Sequence, residues 1–146
     1  MAVIATPCCA VLGVTSGQEP IRVFICDDVA ELRDLVRAAF LGEPDIRVVG
    51  QADNGIAGVM GVKDTQPDVL VLDLSMPEMD GLEAMDTIRL VAPETRIIVF
   101  SGFSSEALSA EAARRGASRY LSKGAPLSEL IAAVREVALD GAKPPA

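Results

Sequence analysis

One stretch narrows what this chain can become more than any other: Asp68-Val69-Leu70-Val71-Leu72-Asp73-Leu74-Ser75-Met76-Pro77-Glu78-Met79-Asp80-Gly81. Val69 to Leu72 run without a polar break. Four apolar residues are too few for a helix, and their lack of alternation predicts a strand covered on both faces, as in a parallel sheet. The run ends in a carboxylate, Asp73. Pro77 and the Asp80-Gly81 pair then predict a loop that cannot continue the strand. In an open parallel sheet, ligands bind beyond the carboxyl ends of the strands. Asp73 is therefore expected there, on rigid backbone and facing whatever binds.

The rest of the chain repeats this unit. Ile21-Arg22-Val23-Phe24-Ile25-Cys26 predicts a first strand, closed by Asp27-Asp28. A helix over 30–41 follows, with Leu32, Leu35, Val36, Ala39 and Phe40 at helical spacing on one face. Asp28 and Glu31 have the spacing of a capping box, with Asp28 as N-cap. A second strand is expected over 47–52 and a second helix over 56–65, weakened by Gly58 and Gly61 at roughly 1 kcal/mol each against Ala. The third strand covers 69–74 and the third helix 82–91. A fourth strand over 96–100 ends at Ser101-Gly102, and a helix over 105–115 stops at Gly116. A fifth strand over 119–122 ends at Lys123-Gly124. The last helix opens near Pro126, a favoured first-turn residue, with Leu127, Leu130, Ile131, Val134 and Val137 as its apolar stripe. Five strand–helix units in strict alternation predict a single α/β domain, doubly wound, with a five-stranded parallel sheet in the order 2-1-3-4-5.

Bulk properties bound the function. At 146 residues there is room for one domain. Residues 1–20 read as a poorly ordered leader, 21–140 as the folded unit and 141–146 as a tail. The 13 basic and 21 acidic residues leave a net charge of −8, which disfavours direct nucleic-acid binding. The mildly apolar stretch 1–12 lacks the length of a membrane span and the basic start of a signal peptide. Adjacent Cys8 and Cys9 give neither zinc spacing nor a disulfide framework, and Cys26 falls in a buried strand as a small apolar residue. This usage fits a reducing cytoplasm.

The chemistry collects at the strand ends. Strand one ends in Asp27-Asp28, strand three in Asp73, strand four in Ser101 and strand five in Lys123. With strands one and three adjacent, three carboxylates converge beside a hydroxyl and an ammonium. Such carboxylates repel one another, and a divalent cation offsets that. Mg²⁺ suits the set, because it takes oxygen ligands and keeps waters that a phosphate can replace. Asp73 is then placed to act as a nucleophile toward a phosphoryl group, a transfer that needs positioning and charge neutralisation more than an acid or a base.

These residues, in this order, resemble the receiver domain of two-component response regulators over residues 21 to about 140. The features that carry the resemblance are Asp27-Asp28 after strand one, Asp73 before Met76-Pro77 and Asp80-Gly81, Ser101-Gly102 after strand four, and Tyr120 before Leu121-Ser122-Lys123. The resemblance implies a flavodoxin-like, CheY-like fold. It implies that Asp73 is the phospho-acceptor and that Asp28, Asp73 and the Ser75 backbone carbonyl hold Mg²⁺, with Asp27 acting through water. Ser101 and Lys123 would bind the phosphoryl oxygens, and Ser101 and Tyr120 would form the switch pair. It implies a sensor histidine kinase or phosphotransfer protein as donor. A downstream protein, or a second copy of the chain, would bind on the face of helix four, strand five and helix five. Chemistry would be confined to gain and loss of phosphate at Asp73, so the chain is read as no enzyme. Many members follow the lysine with proline, whereas Gly124 follows Lys123 here. The Lys-Gly-Ala form resembles receivers joined to a LuxR-like helix-turn-helix. A stand-alone receiver is the expectation, with a receiver lacking that output as the alternative.

Plainer readings stand beside these. Asp27 and Asp28 can cap helix one, Asp73 can be a turn residue, Lys123 can be solvated, Ser101 can open a loop and Tyr120 can fill the core edge. Asp80 reads as a turn or cap, and Met76 and Met79 as packing. Phe103 is a position that would shield a phosphoryl group. A phosphatase of the haloacid dehalogenase type also uses an aspartate after a strand, but it wants a second Asp two residues on, where Ser75 stands.

Overall fold

A computed structural model describes residues 19–76, 79–102 and 105–140. The expected tail, most of the leader with Cys8 and Cys9, Pro77 of the loop motif and the shielding position Phe103 lie outside the described residues.

Strands β1 (Ile21–Cys26), β2 (Ile46–Ala52), β3 (Val69–Leu72), β4 (Arg96–Ser101) and β5 (Ala117–Ser122) alternate with helices α1 (Ala30–Leu41), α2 (Gly55–Thr65), α3 (Gly81–Val91), α4 (Glu106–Arg114) and α5 (Leu127–Asp140). All strand pairs are parallel, in the order β2-β1-β3-β4-β5. This is the doubly wound α/β sheet that the alternation predicts.

The sheet is buried on both faces, which explains the unbroken apolar run. In β3, Leu70 and Leu72 face a core completed by α2, α3 and α4, while Val69 and Val71 face one completed by α1 and α5. β1 divides in the same way, Phe24 and Cys26 against Val23 and Ile25. Cys26 is buried as expected, and burial pushes its thiol up to about 12, with the charges of Asp27 and Asp73 adding to the rise. The thiol therefore stays protonated and inert. Arg135 of α5 ties that helix to the turn before β2 through Glu43 and Asp45. Among the described residues no helix is long and apolar enough to cross a membrane.

Besides other shifts of one or two residues at the ends of β2, α2, α3, β4, α4 and β5, three expectations change. β3 stops at Leu72 rather than 74, because beyond it the chain turns toward the α3 N-terminus, where the Gly81 amide bonds the Leu74 carbonyl. Leu35 leaves the predicted apolar face of α1 and is 54% exposed, and Val36 and Phe40 carry the burial instead. The capping box at Asp28 does not form. Val29 is the N-cap of α1 and no side chain caps it; the Val29 amide is taken by Asp27 Oδ1 at 2.9 Å, so the cap falls one residue after Asp28 while the helix keeps its expected range. Asp80 does cap α3, accepting from the Glu83 amide at 2.9 Å.

The glycines of α2 have a packing reason that propensity alone hides. A Cβ at Gly61 would lie 2.4 Å from the Phe24 ring, and one at Gly58 2.6 Å from Cys26 Sγ. Bare backbone lets α2 lie against β1. Gly61→Ala should therefore destabilise the fold by about 1–2 kcal/mol, since overpacking a core costs about 1–3 kcal/mol and outweighs the gain in helix propensity of roughly 1 kcal/mol. A urea midpoint above that of the wild type would show that propensity wins.

Candidate functional site

The carboxyl ends of β1, β3, β4 and β5 bring the expected residues to one rim. Backbone bonds fix Asp27, Asp73, Ser101 and Lys123. The Asp27 amide bonds the Ala52 carbonyl at 3.1 Å, the Asp73 amide bonds the Cys26 carbonyl at 3.0 Å, and the Lys123 amide bonds the Ser101 carbonyl at 2.8 Å. Asp27 and Asp73 are buried, at 4% and 1% exposure, and Ser101 is fully buried, while Asp28 is exposed. Gly81 closes the site from below. A Cβ there would lie 2.6 Å from the Asp73 carbonyl oxygen and from Leu74 Cα, so only glycine lets the start of α3 press on this loop.

Oxygen atoms of Asp27, Asp28 and Asp73 all lie within 4.8 Å of one another. Lys123 Nζ bridges the two buried carboxylates, 2.9 Å from Asp27 Oδ2 and 3.2 Å from Asp73 Oδ2. Asp27 Oδ1 accepts from the Val29 amide, and Asp73 Oδ1 accepts from the Ser75 amide at 3.2 Å. Burial pushes the Asp73 carboxyl above the ordinary range and Asp27 adds to the rise, while the Ser75 amide and Lys123 pull against it. Burial opposes the charge on Lys123, yet its hydrogen bond to Asp27 and the charges of Asp73 and Asp27 outweigh that and raise its pKa.

Three formal negative charges and one positive leave −3 + 1 = −2 in the cleft. One divalent cation balances that sum, and an all-oxygen donor set is the kind Mg²⁺ takes. The cleft therefore fits a hard divalent ion.

Residues 23–135 match the family model described as response regulator receiver domain. The chain belongs to this family. The nitrate/nitrite response regulator protein NarL of Escherichia coli K12 is 39% identical over 123 residues, which are 84% of this chain and 57% of NarL. A protein-glutamate methylesterase/protein-glutamine glutaminase of Nocardioides is 37% identical over 119 residues, 80% of this chain and 32% of that protein. The receiver thus spans from about a third to just over half of these curated relatives. Among solved structures, a NarL signal receiver domain from Mycobacterium tuberculosis matches with a TM-score of 0.79 and 34% identity, over 83% of this chain and 98% of that one.

Tyr120 of this receiver lies in register with Val99 on β4 and packs, half-buried, against the core on the α2–α4 side. Ser75 is exposed beside Asp73. One contributor escapes sequence reasoning. Arg33 of α1 donates from its guanidinium to the Asp27 carbonyl at 2.7 Å. Its only signal in the sequence is a basic residue six positions after Asp27.

A carboxyl whose pKa is higher folded than unfolded favours the fold while protonated, and that contribution is lost as pH rises through the folded pKa. Asp73→Asn removes the buried charge and leaves Lys123 paired with Asp27. At neutral pH its melting temperature should exceed that of the wild type by a few degrees, the shift that about 1 kcal/mol gives in a domain of this size. The difference should vanish as pH falls below the ordinary carboxyl value of 3.8. A variant less stable than wild type at neutral pH would contradict this.

Proposed function

We propose that this receiver takes a phosphoryl group onto Asp73 from a sensor histidine kinase or a phosphotransfer protein, and that the modification switches a protein-binding face. The observation that carries the reading is the buried Asp73 carboxylate in contact with Lys123, with Asp27 and Asp28 beside it. These 146 residues contain no histidine, so the donor histidine is not among them. A carboxylate oxygen of Asp73 bonds to phosphorus as the bond from phosphorus to the donor's imidazole nitrogen breaks, and the electron pair leaves on nitrogen. Lys123 neutralises phosphoryl oxygen charge, and the Ser101 hydroxyl supplies a hydrogen bond. Asp28, Asp73 and the Ser75 carbonyl, with Asp27 through water, would hold Mg²⁺, which when bound neutralises charge on the transferred group.

The switch follows from charge. Phosphorylation adds roughly −1.5 to −2 at Asp73, in a cleft where burial already disfavours negative charge. Ser101 at the end of β4 moves toward the new oxygens, Tyr120 turns inward behind it, and α4 shifts. Within α4 only Ala112 is buried, so the helix is lightly held. The face formed by α4, β5 and α5 then binds a downstream protein or a second copy. The reading concerns residues 21–140 and is the same with or without an output segment joined to them. For the phosphatase reading, Ser75 stands where a second aspartate is needed.

Acetyl phosphate with Mg²⁺ should add one phosphoryl group to the wild type, seen by intact mass, and none to Asp73→Asn. Lys123→Ala should slow its appearance by at least tenfold. Adducts of equal yield on wild type and Asp73→Asn would remove Asp73 from this role.

A further inference from the structure

We propose that Arg33 is a positioning residue for the divalent-cation site, holding the loop that aims Asp28 into the cleft; this rests on the metal-holding reading of that cleft. The loop Asp27-Asp28-Val29 joins β1 to α1, and no side chain caps the helix that follows it. Arg33 takes over from the helix side. Its amide bonds the Val29 carbonyl at 3.0 Å, so the residue is fixed within the first turn. Its side chain then returns over the loop and donates to the Asp27 carbonyl at 2.7 Å.

With that bond every polar atom of Asp27 is engaged. Its amide is held by Ala52, its carbonyl by Arg33, Oδ1 by Val29 and Oδ2 by Lys123. Asp28 is exposed, and the bonds that fix its backbone neighbours set its direction. An oxygen of Asp28 nonetheless lies within 4.8 Å of oxygens of both buried carboxylates. The Arg33 Nε is buried with no hydrogen-bond partner. Burying such a donor is unfavourable. The unpaired nitrogen marks a side chain held for where its planar end reaches rather than for what it contributes to the core.

Charge and position make opposite demands, which lets an experiment separate them. A guanidinium near a cation site repels the cation, so an Arg33 acting only through charge would weaken Mg²⁺ binding, and its removal would tighten it. An Arg33 acting by position does the reverse. Loss of residues that orient metal ligands typically lowers metal affinity by roughly 10–100-fold.

The test is calorimetric titration of the full chain with Mg²⁺ alone, for wild type, Arg33→Ala and Arg33→Lys. The expected result is an affinity about tenfold weaker in Arg33→Ala, with Arg33→Lys between the two because it keeps one donor for the Asp27 carbonyl. An unchanged or tighter affinity in Arg33→Ala overturns the proposal. If Arg33→Ala does not fold, Arg33→Met, which keeps the apolar stem and has no donor, decides instead: weaker than wild type supports the proposal, and equal to or tighter than wild type overturns it. A wild-type chain that binds no Mg²⁺ sinks the metal reading of the cleft itself, whereas wild-type binding with no loss in the variants sinks only the role of Arg33.

Discussion

The structure turns on two buried carboxylates sharing one ammonium. Asp27 and Asp73 end adjacent strands and both meet Lys123. Two negative charges about 5 Å apart repel by roughly 3 kcal/mol at an effective dielectric near 20, and Lys123 offsets that for the pair. Asp28 adds a third charge at the open side. The cleft keeps a deficit of positive charge, and that deficit is its chemical capacity. In the proposed function it would draw a divalent cation and, with the cation, an anionic phosphoryl group that the carboxylates alone would repel.

The fold exists to hold this arrangement still. Parallel pairing brings four strand ends to one rim, and the backbones of Asp27, Asp73, Ser101 and Lys123 are hydrogen-bonded to a neighbouring strand end. Both faces of the sheet are sealed by largely aliphatic cores, so the site rests on buried backbone. α4 lies at the other extreme, with a single buried residue. A site on buried backbone beside a helix with little burial suits the switch proposed above.

Much of this was legible in the residues. Val69 to Leu72 fixed the sheet type because a strand covered on both faces cannot alternate. Asp73, Asp28 and Lys123 were legible because each stands just past the end of a strand, where topology leaves one place for it to go. The Asp28 cap was misread because the geometry of a cap looks only at nearby residues, while Asp27 was already held by Lys123 from 96 positions along the chain. Gly58 and Gly61 read as weaknesses of a helix, since sequence does not reveal the Phe24 ring and Cys26 thiol beneath them. Arg33 stayed hidden because its target is a backbone carbonyl, which leaves no mark on residue type.

The most direct measurement is a crystal structure of the chain with Mg²⁺ and beryllofluoride, which mimics an acyl phosphate. Beryllium should be bonded to an Asp73 oxygen, with fluorides within reach of Lys123 and Ser101 and the cation held by Asp28 and Asp73. An Asp73 left bare, or turned away from Asp28 and Lys123 with the ions bound elsewhere, would contradict this.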